Sequence, residues 1–527
     1  MTTLIQSLAQ RDTLAILQKR FGNYFRILAV LTIALGTIST ILSSTNVNVA
    51  IPSVMGSFGV GQDVAQWLST GYLAASTVTM LCTAWLINSF GMRLTFISAL
   101  IVFILSSLLG AVSPNIEMLI LSRVIQGASS GVFVPLSMLL MIQLFPPEKQ
   151  GFSMGIFGVM VIMAPALGPY LGGILIDNVH WRYVFIMPFP MAFIAFVMAF
   201  YFLPEKENNE KSSLDWIGLF LLSGAISLLL IGLSKGQSKG WTSDFTLLCF
   251  ASMIITTALF LYRQTCITSP LFNLTLFKYP AFTANSIITI IFGAGLYSTF
   301  YSVPLFLQTI QGLNATSSGF SLLPGGFVLA LMFPIGGVLS DKFPHWLLIG
   351  LGIIIFIISS MLMLVSDRQT DLWLFIYWVT IGRIGIGLIM PSLSNATFRS
   401  VPTHLTPQAS GVSNFFRQFG GALGVNLTSI YLERQTEFHM DNINSTQHMG
   451  NPQTIEMVTQ LLPSLQQAGI NPGQQEYVAF WVLGKELYRQ ALTLAFQDAF
   501  YMTALIFIAA LIPTGYLFLK RNTLTKA

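Results

Sequence analysis

Charged residues are scarce in this sequence. They make up 9% of its 527 residues, whereas hydrophobic residues make up 54%. Soluble proteins carry about 25% charged residues, and a chain so far below that value cannot cover itself with a surface that water solvates. The composition therefore excludes an ordinary soluble protein and predicts a chain that lipid surrounds over most of its outside.

Residue types that build metal and redox sites are also few. The three cysteines, Cys82, Cys249 and Cys266, have no metal-ligand spacing, and their odd number argues against a disulfide framework. The five histidines fall in segments between hydrophobic runs, which argues against a histidine proton relay inside a membrane. We therefore expect no metal ion and no cofactor.

Motifs of soluble enzymes are absent as well. The sequence has no phosphate-binding loop with its lysine, no GxSxG turn and no HExxH pair. Because no catalytic constellation is visible, we expect neither an enzyme nor a nucleic-acid partner. Residues Met1 to Phe25 lack the apolar core of a signal peptide and are interpreted as a cytoplasmic tail.

Long hydrophobic runs dominate what is present. About fourteen runs reach the ~20 residues that a membrane-spanning helix needs, which predicts an all-α polytopic membrane protein. They lie at residues 27–50, 64–86, 94–113, 117–142, 152–175, 182–203, 215–233, 245–263, 283–308, 317–340, 346–366, 372–394, 408–431 and 495–519. Lys and Arg favour one set of connecting loops about two to one, which predicts that both termini are cytoplasmic.

One connecting segment, residues 433–490, is much longer than the others and rich in Gln, Asn and Met. Two parts of it, Thr454 to Gln467 and Gln474 to Leu487, have helical patterns. Long loops are either functional or unstructured. A lid over the outer mouth, a docking surface for a partner and a solvated spacer therefore all stay open.

Two of the runs carry recognisable motifs. Leu42 to Pro52 reads LSSTNVNVAIP, which is similar to LDxTIVNVALP with Ser43 at the acidic position. Ala164 to Gly173 reads APALGPYLGG, which is similar to GxxxGPxxGG. On these and the two motifs below, residues 27 to 519 resemble the major facilitator superfamily, in particular its fourteen-helix drug/proton antiporter branch of the EmrB/QacA type.

The resemblance implies a major facilitator fold of two six-helix bundles with two extra central helices. Short links of related sequence, residues 84–93 and 337–345, follow the second and tenth runs, as expected of two related halves. The implied division is a tail at 1–26, an N-terminal bundle at 27–203, the extra helices at 204–264, a C-terminal bundle at 265–520 that includes 433–490, and a tail at 521–527.

The glycines of the fifth run give a direction to the expected transport. Gly168, Gly172 and Gly173 would let another helix approach closely, and Pro169 removes a backbone donor and bends the helix. A kinked, tightly packed interface can switch between two packings. The resemblance implies that this motif is typical of exporters, and ordinary small-residue packing is the alternative.

The fourth run contains Arg123, Gln126 and Gly127 in the spacing Arg-x-x-Gln-Gly. Arg123 lies roughly six residues, or about 9 Å, inside the run, where a guanidinium is expensive unless it is paired. The resemblance implies a role in proton transfer or coupling. The alternative is a structural arginine that binds backbone carbonyls of a neighbouring helix.

The links after the second and tenth runs resemble the superfamily pattern GxxxDRxGRR. In the family, the acidic residue caps a helix and pairs with basic residues, which locks one conformation. The residues that match, or that replace a matching residue, are Asn88, Gly91 and Arg93 in the first link and Gly337, Asp341 and Lys342 in the second. Asn88 brings no charge, so Asp341 is the better latch candidate.

Proton coupling needs a group that titrates between two states. An arginine cannot serve, since its pKa exceeds about 12, and Ser43 has replaced the acid expected in the first run. The candidates that remain are Glu117, acting with Arg123, and Asp498, both at outer ends of runs. The energy source would be the proton gradient.

Arg123, Arg383 and Arg417 lie within hydrophobic runs, which hold almost no acidic residues. Such a cavity should disfavour lipophilic cations and favour neutral or anionic amphiphiles. The arginines could instead be paired with backbone and invisible to a substrate.

We therefore expect a secondary active transporter in a bacterial cytoplasmic membrane that exports small amphiphilic drugs or metabolites by alternating access, with proton antiport. One alternative is a dedicated exporter of an anionic metabolite such as a siderophore. A second is a transporter-like sensor or scaffold, which the neutral residues Ser43, Asn88 and Ser89 suggest. Expected partners are the small-molecule substrate, membrane lipid and, by analogy alone, a periplasmic adaptor with an outer-membrane channel.

Overall fold

The computed structural model describes residues 14–22, 24–145, 150–205, 215–267, 270–402, 405–446, 451–468 and 470–519. These residues are almost entirely helical and contain no strand. The main helices are α1 Leu14–Phe21, α2 Tyr24–Phe58, α3 Trp67–Phe90, α4 Met92–Ala111, α5 Ile116–Ser130, α6 Phe133–Leu144, α7 Gln150–Asn178, α8 Phe189–Phe202, α9 Trp216–Lys239, α10 Asp244–Cys266, α11 Pro280–Thr309, α12 Leu323–Lys342, α13 His345–Leu362, α14 Leu372–Arg399, α15 Thr406–Thr446, α16 Pro452–Gln467 and α17 Pro472–Leu519.

Short helical segments precede three of these helices. Gln62–Ala65 comes before α3, Tyr183–Ile186 before α8, and Ala315–Phe320 before α12. Most of the tails expected at 1–26 and 521–527 lie outside the described residues, apart from α1 and the start of α2. Leu17 of α1 is fully buried, and the rings of Phe21 and Phe202 lie 5.2 Å apart, so α1 packs on the end of α8.

Eleven segments of the described chain are long and apolar enough to cross a membrane. Three more long helices, α3, α7 and α15, have 24, 29 and 41 residues and coincide with further hydrophobic runs of the sequence. Helices suit this role because hydrocarbon offers no partner to an unsatisfied backbone group. The all-α membrane fold is therefore confirmed, and the number of fourteen spans stays a prediction.

The described helices pack as two groups. Those between residues 24 and 202 contact chiefly one another, as do those between 280 and 519, while α9 pairs with α10 and also touches α3 and α15. We call the first group the N-bundle and the second the C-bundle. The charges of the loops predict which end of each helix lies outside the cell. We call that end the outer end.

One close contact shows why the predicted run 117–142 is not a single straight helix. It is divided into α5 and α6 at Gly131, where a Cβ would lie 2.2 Å from the carbonyl oxygen of Ser76. A Cβ at Gly127 would likewise lie 2.2 Å from the carbonyl oxygen of Tyr72. Both positions need glycine because the backbone of α3 presses against α5 there.

The described parts of the long segment 433–490 are folded. It consists of the outer end of α15, helix α16 and the first turns of α17, so the two predicted helical parts are confirmed. Val458, Ala479, Leu483 and Leu487 are buried together in a small core of its own. A core of this kind argues against an extended spacer.

A buried carboxylate joins the two extra helices at their inner ends. The Asp215 side chain is fully buried, caps α9 through the Gly218 amide at 2.8 Å, and lies 2.5 Å from Arg263 Nε of α10. Gln264 Nε2 donates to its other oxygen at 3.0 Å. Burial alone would raise the pKa of Asp215, but the bonds from Gly218, Arg263 and Gln264 hold it below its ordinary value.

We expect Asp215→Asn to destabilise the protein by about 1.5–3 kcal/mol, the usual contribution of a hydrogen bond to a charged group, because Arg263 then faces a neutral amide. The lowered pKa means that the stabilisation exists above the ordinary carboxyl pKa of about 3.9 and disappears as the pH falls through the folded value. Thermal unfolding in detergent, measured from neutral to acidic pH, checks this.

The matched control is Asp244→Asn, since Asp244 is exposed in the first turn of α10. Equal loss of stability in both variants, or a loss for Asp215→Asn that grows as the pH falls, would contradict the role assigned to Asp215.

Candidate functional site

The GxxxGPxxGG-like motif lies where the two bundles meet. A Cβ at Gly173 would lie 2.3 Å from the carbonyl oxygen of Ala315, and a Cβ at Gly319 would lie 2.2 Å from the carbonyl oxygen of Pro169. The backbones of α7 and of the segment Ala315–Phe320 therefore touch. The close helix approach that the glycines predict is present, and it joins the N-bundle to the C-bundle.

The other glycines of the motif face inward, towards α2. A Cβ at Gly168 would lie 2.8 Å from Thr45 Oγ1, and a Cβ at Gly172 would lie 3.2 Å from the carbonyl oxygen of Asn46. Helix α7 is thus held between α2 of its own bundle and the C-bundle, so that any displacement of α7 must alter both contacts.

A carboxylate adds hydrogen bonds to the same contact at the outer end of α7. Asp177 accepts hydrogen bonds from the backbone amides of Ala315 at 3.1 Å and Thr316 at 2.7 Å. These amides begin the segment Ala315–Phe320, where a helix start leaves N–H groups unsatisfied. The only signal for Asp177 in the sequence is an acid placed just after the glycine motif.

A second contact between the bundles lies deeper, between α2 and α11. Asn48 Nδ2 donates to the carbonyl oxygen of Phe300 at 3.1 Å, and Ser69 Oγ of α3 donates to Asn48 Oδ1 at 2.5 Å. Gln308 Nε2 donates to the carbonyl oxygen of Val49 at 3.2 Å. Asn48 and Val49 belong to the motif of the first run, so that motif contributes directly to the interface.

Arg123 is fully buried in the N-bundle. Its Nε donates to the carbonyl oxygen of Leu68 at 2.9 Å, and its two terminal nitrogens each lie 3.0 Å from Ser43, one from Oγ and one from the carbonyl oxygen. Gln126 accepts a further bond from Arg123 and donates to Ser107 Oγ at 2.7 Å. The guanidinium also covers the ring of Tyr72, with 4.3 Å to its centroid.

The structure thus gathers Arg123, Gln126 and Gly127 as predicted, with Ser43 in contact with the guanidinium. It does not bring Glu117 to Arg123. Glu117 is exposed in the first turn of α5, and all the hydrogen bonds of Arg123 go to other residues. The expected Glu117–Arg123 pair was wrong, because their spacing puts Glu117 at the outer surface.

Asp498 has a partner that the sequence analysis missed. Its Oδ2 lies 2.7 Å from Nε2 of His439, which extends from α15 beside α17. The His439 side chain is 20% exposed and that of Asp498 is 37% exposed. The two residues lie 59 positions apart in sequence, so only the packing of α15 on α17 could reveal the pair.

The two links expected to form latches differ in the structure. Arg93 is buried and pairs with Glu205 at 2.6 Å, within the N-bundle. Gly91 has a φ of 81° between α3 and α4, which explains a glycine there. Asn88 is exposed at the end of α3.

The second link shows no latch in this conformation. Gly337 lies on α12, while Asp341 and Lys342 are exposed at its end and form no ion pair with any described residue. Asp341 remains a latch candidate only for a conformation other than this one.

The C-bundle holds two arginines in its interior. Arg417 Nη2 donates to Asn414 Oδ1 at 2.9 Å. Arg383 is 2% exposed and its guanidinium lies over the ring of Phe300, 4.2 Å from the centroid. Among the described residues the only buried carboxylate is Asp215, at the inner end of α9, so neither arginine has an acidic partner nearby.

A second charged group missed in the sequence lies at the outer ends of three parts of the molecule. Lys235 Nζ of α9 lies 3.8 Å from Asp63, and Gln237 Nε2 donates to Glu437 of α15 at 3.1 Å. Burial, and then the nearby charges of Asp63 and Glu437, raise the pKa of Glu433. Three carboxylates, of Asp63, Glu433 and Glu437, therefore meet one ammonium group, of Lys235, where the N-bundle, α9 and the C-bundle join.

Comparison with known proteins identifies the class. Residues 33–425 match the family model of the Major Facilitator Superfamily, and YhcA of Bacillus subtilis (strain 168), an uncharacterised MFS-type transporter, is 31% identical over 95% of this chain and 94% of its own length. The chain belongs to the major facilitator superfamily. It is a polytopic membrane transport protein rather than an enzyme.

Named relatives narrow the branch. The multidrug export protein EmrB of Escherichia coli (strain K12) is 27% identical over 92% of this chain and 94% of its own length. The lincomycin resistance protein LmrB of Listeria monocytogenes is 28% identical over 80% of this chain and 88% of its own length. These likenesses support the EmrB-type branch of the superfamily that the motifs indicated.

A solved structure supports the fold. A bacterial homologue of the human lysosomal transporter Spinster, in an inward-facing and unoccupied conformation, aligns with a TM-score of 0.61 over 94% of this chain and 98% of its own, at 15% identity. The likeness shows that the helices are arranged as in a major facilitator transporter.

We expect Asp177→Asn to loosen the outer contact between the bundles. The side-chain oxygen of Asn accepts the two backbone N–H groups at a helix start more weakly than a carboxylate does. At this exposed position we expect the contact to lose about 1 kcal/mol, which shifts the population of the closed form roughly fivefold. Distances between spin labels at the outer ends of α7 and α12 measure it.

Asn178→Ala is the control, because the Asn178 amide bonds only to Ile174 of its own helix. If Asp177→Asn leaves the distance distribution like that of wild type, while Asn178→Ala changes it, the fastening role of Asp177 is wrong.

Proposed function

We propose that the protein is a secondary active exporter of small amphiphilic molecules that works by alternating access and is driven by proton entry. The observation that carries the proposal is the packing of α7 on the segment Ala315–Phe320 through Gly168–Gly173 and Gly319. This contact joins the two bundles at one end of the molecule. Its backbone surfaces are either closely packed or separated, as two alternating conformations require. The similarity to EmrB, a multidrug export protein, and to LmrB, a lincomycin resistance protein, supports the same direction.

The contacts suggest which parts separate. Asp177 with Ala315 and Thr316, and Gln308 with Val49, hold the outer halves together. Opening to the outside must break these bonds while each bundle keeps its own core. Rocking of two bundles about a site near the membrane midplane is the general mode of such transporters.

Coupling to protons requires a group other than Arg123. With Ser43 beside it, Arg123 is held by neutral acceptors alone. Of the two candidates from the sequence, Asp498 has the better environment, since it meets His439 between α15 and α17. We therefore propose Asp498, in contact with His439, as the group that takes up the proton.

A dedicated exporter of an anionic metabolite, such as a siderophore, is the second candidate. Buried Arg123 and Arg383, without a buried carboxylate among the described residues near them, favour it. The surroundings would repel a lipophilic cation and tolerate a neutral or anionic molecule.

We place the protein in the bacterial cytoplasmic membrane with both termini inside. The folded segment 433–490 would then extend outside and present exposed aromatic residues, such as Tyr477 and Trp481. A periplasmic adaptor in contact with an outer-membrane channel is a candidate partner for that segment.

The test is substrate-dependent proton movement in proteoliposomes, followed with a pH-sensitive dye inside. For wild type we expect proton flux when an amphiphile is offered, and for Asp498→Asn a loss of at least tenfold in that flux with counterflow of substrate retained. His439→Gln should give an intermediate loss.

Glu117→Gln is the control, because Glu117 is exposed and removed from Arg123. Full proton flux in Asp498→Asn would refute coupling at this pair. Absence of counterflow by wild type with anionic, neutral and cationic amphiphiles alike would refute export itself and favour a sensor or scaffold.

A further inference from the structure

Arg383 is held in an unusual environment for a guanidinium. It is 2% exposed, and both of its terminal nitrogens are buried without a hydrogen-bond partner. Its nearest aromatic neighbour, Phe300, offers a ring face at 4.2 Å. An aromatic face attracts the positive charge but does not accept the N–H groups of a guanidinium in the way that oxygen atoms do.

Arg123, which is fully buried in the N-bundle, has a different environment. Both terminal nitrogens of Arg123 reach oxygen atoms, of Ser43 and Gln126, so its guanidinium is satisfied by the protein. The described part of the chain supplies no such oxygen to the terminal nitrogens of Arg383. Arg123 thus has the environment of a structural arginine, whereas the terminal N–H groups of Arg383 have no acceptor among the described residues.

The space around Arg383 is prepared by the neighbouring helix. A Cβ at Gly325 of α12 would lie 2.9 Å from Arg383 Cγ. Any larger residue at position 325 would displace the aliphatic part of the Arg383 side chain. Glycine at this position therefore leaves room for Arg383 between α12 and α14. Arg383 also lies about 16 Å along α14 from Leu372, which is near the middle of a membrane-spanning helix.

We propose that Arg383 binds a carboxylate group of the transported molecule, with Phe300 as the adjoining apolar wall. A buried guanidinium without a partner is unfavourable, and its planar pair of terminal nitrogens matches the two oxygens of a carboxylate. The ligand that completes the site is therefore an amphiphile with a carboxylate next to an apolar body. This inference rests on the proposed transport function and specifies the class of substrate.

The position of Phe300 explains how a substrate reaches the site. The carbonyl oxygen of Phe300 accepts the bond from Asn48 of the N-bundle, so the residue that covers Arg383 belongs to the contact between the bundles. When the bundles part, that bond breaks and the ring becomes part of the cavity wall. Arg383 lies directly behind it and is then within reach of a bound anion.

The test uses three probes with one ring system and different charge: pyrenebutyrate, its methyl ester and pyrenebutylamine. Counterflow of each is measured in proteoliposomes of wild type, Arg383→Gln and Arg383→Lys. We expect wild type to prefer the acid over the amine, and Arg383→Gln to lose at least tenfold in rate for the acid while the ester changes less than twofold. Arg383→Lys keeps the charge but not the planar fork, so it should retain part of the acid transport.

Arg368→Gln is the matched control. It removes the same charge from an exposed pair with Glu486, and it should leave the preference among the three probes unchanged. Equal loss of acid and ester in Arg383→Gln would show a merely structural arginine and overturn the proposal. Transport of the ester but not of the acid by wild type would also overturn it while leaving the export function intact, whereas transport of none of the probes would count against both.

A second measurement does not depend on transport. If Arg383 is an unpaired donor in the empty protein, Arg383→Met should keep or raise the Tm of the purified full-length protein in detergent. Pyrenebutyrate should raise the Tm of wild type by more than its methyl ester does, and this difference should vanish in Arg383→Met. A marked fall of Tm in Arg383→Met, or equal shifts by acid and ester in wild type, would contradict the proposal.

Discussion

Hydrocarbon offers no hydrogen-bond partner, and this constraint shapes almost every polar contact in the protein. Along the helices many Ser and Thr hydroxyls donate to a carbonyl one turn earlier, as Thr77 does to Leu73 and Thr289 to Asn285. Other polar side chains bind a neighbouring helix. Arg123 reaches Leu68 and Ser43, and Asp215 reaches Arg263, so polar groups connect helices inside each part of the molecule.

The same constraint decides which contacts stabilise the junction between the bundles. Leucine side chains that meet there would gain little over contact with lipid, whereas backbones that approach through glycine gain close packing. Gly173 against Ala315 and Gly319 against Pro169 provide this packing, and Asp177 and Asn48 add hydrogen bonds across it. Apolar side chains of α3 and α15 also pack against each other across the junction, and together these contacts hold the bundles in this conformation.

Charge is distributed unevenly between the two halves. In the N-bundle the deep arginine is enclosed by neutral oxygen atoms, and in the C-bundle Arg383 has only an aromatic face. Several carboxylates, by contrast, lie at the outer ends, where Asp63 and Glu433 are near Lys235 and where Asp498 meets His439. The substrate site that we propose therefore lies in the interior, and the proton site that we propose lies in the outer region.

Much of the fold could be predicted from the sequence because hydropathy is a local property. Runs of about twenty apolar residues predicted the helices of the two bundles, and the helical patterns within 433–490 predicted α16 and the start of α17. Close contacts at Gly168 and Gly173 could be expected because only glycine permits backbones to touch. The sequence failed at the pairings: Glu117 with Arg123 was wrong, and His439 with Asp498 was missed.

By itself, then, the sequence determined that the chain spans a membrane as helices, which of its residues carry charge inside them, and where helices could approach closely. Only the tertiary structure decided which charges are satisfied. Arg123 and Arg383 look alike in the sequence, each a lone arginine in an apolar helix. Whether a guanidinium finds oxygen atoms depends on residues far away in the chain, such as Ser43 for Arg123 and Gly325 and Phe300 for Arg383, and only packing brings these together.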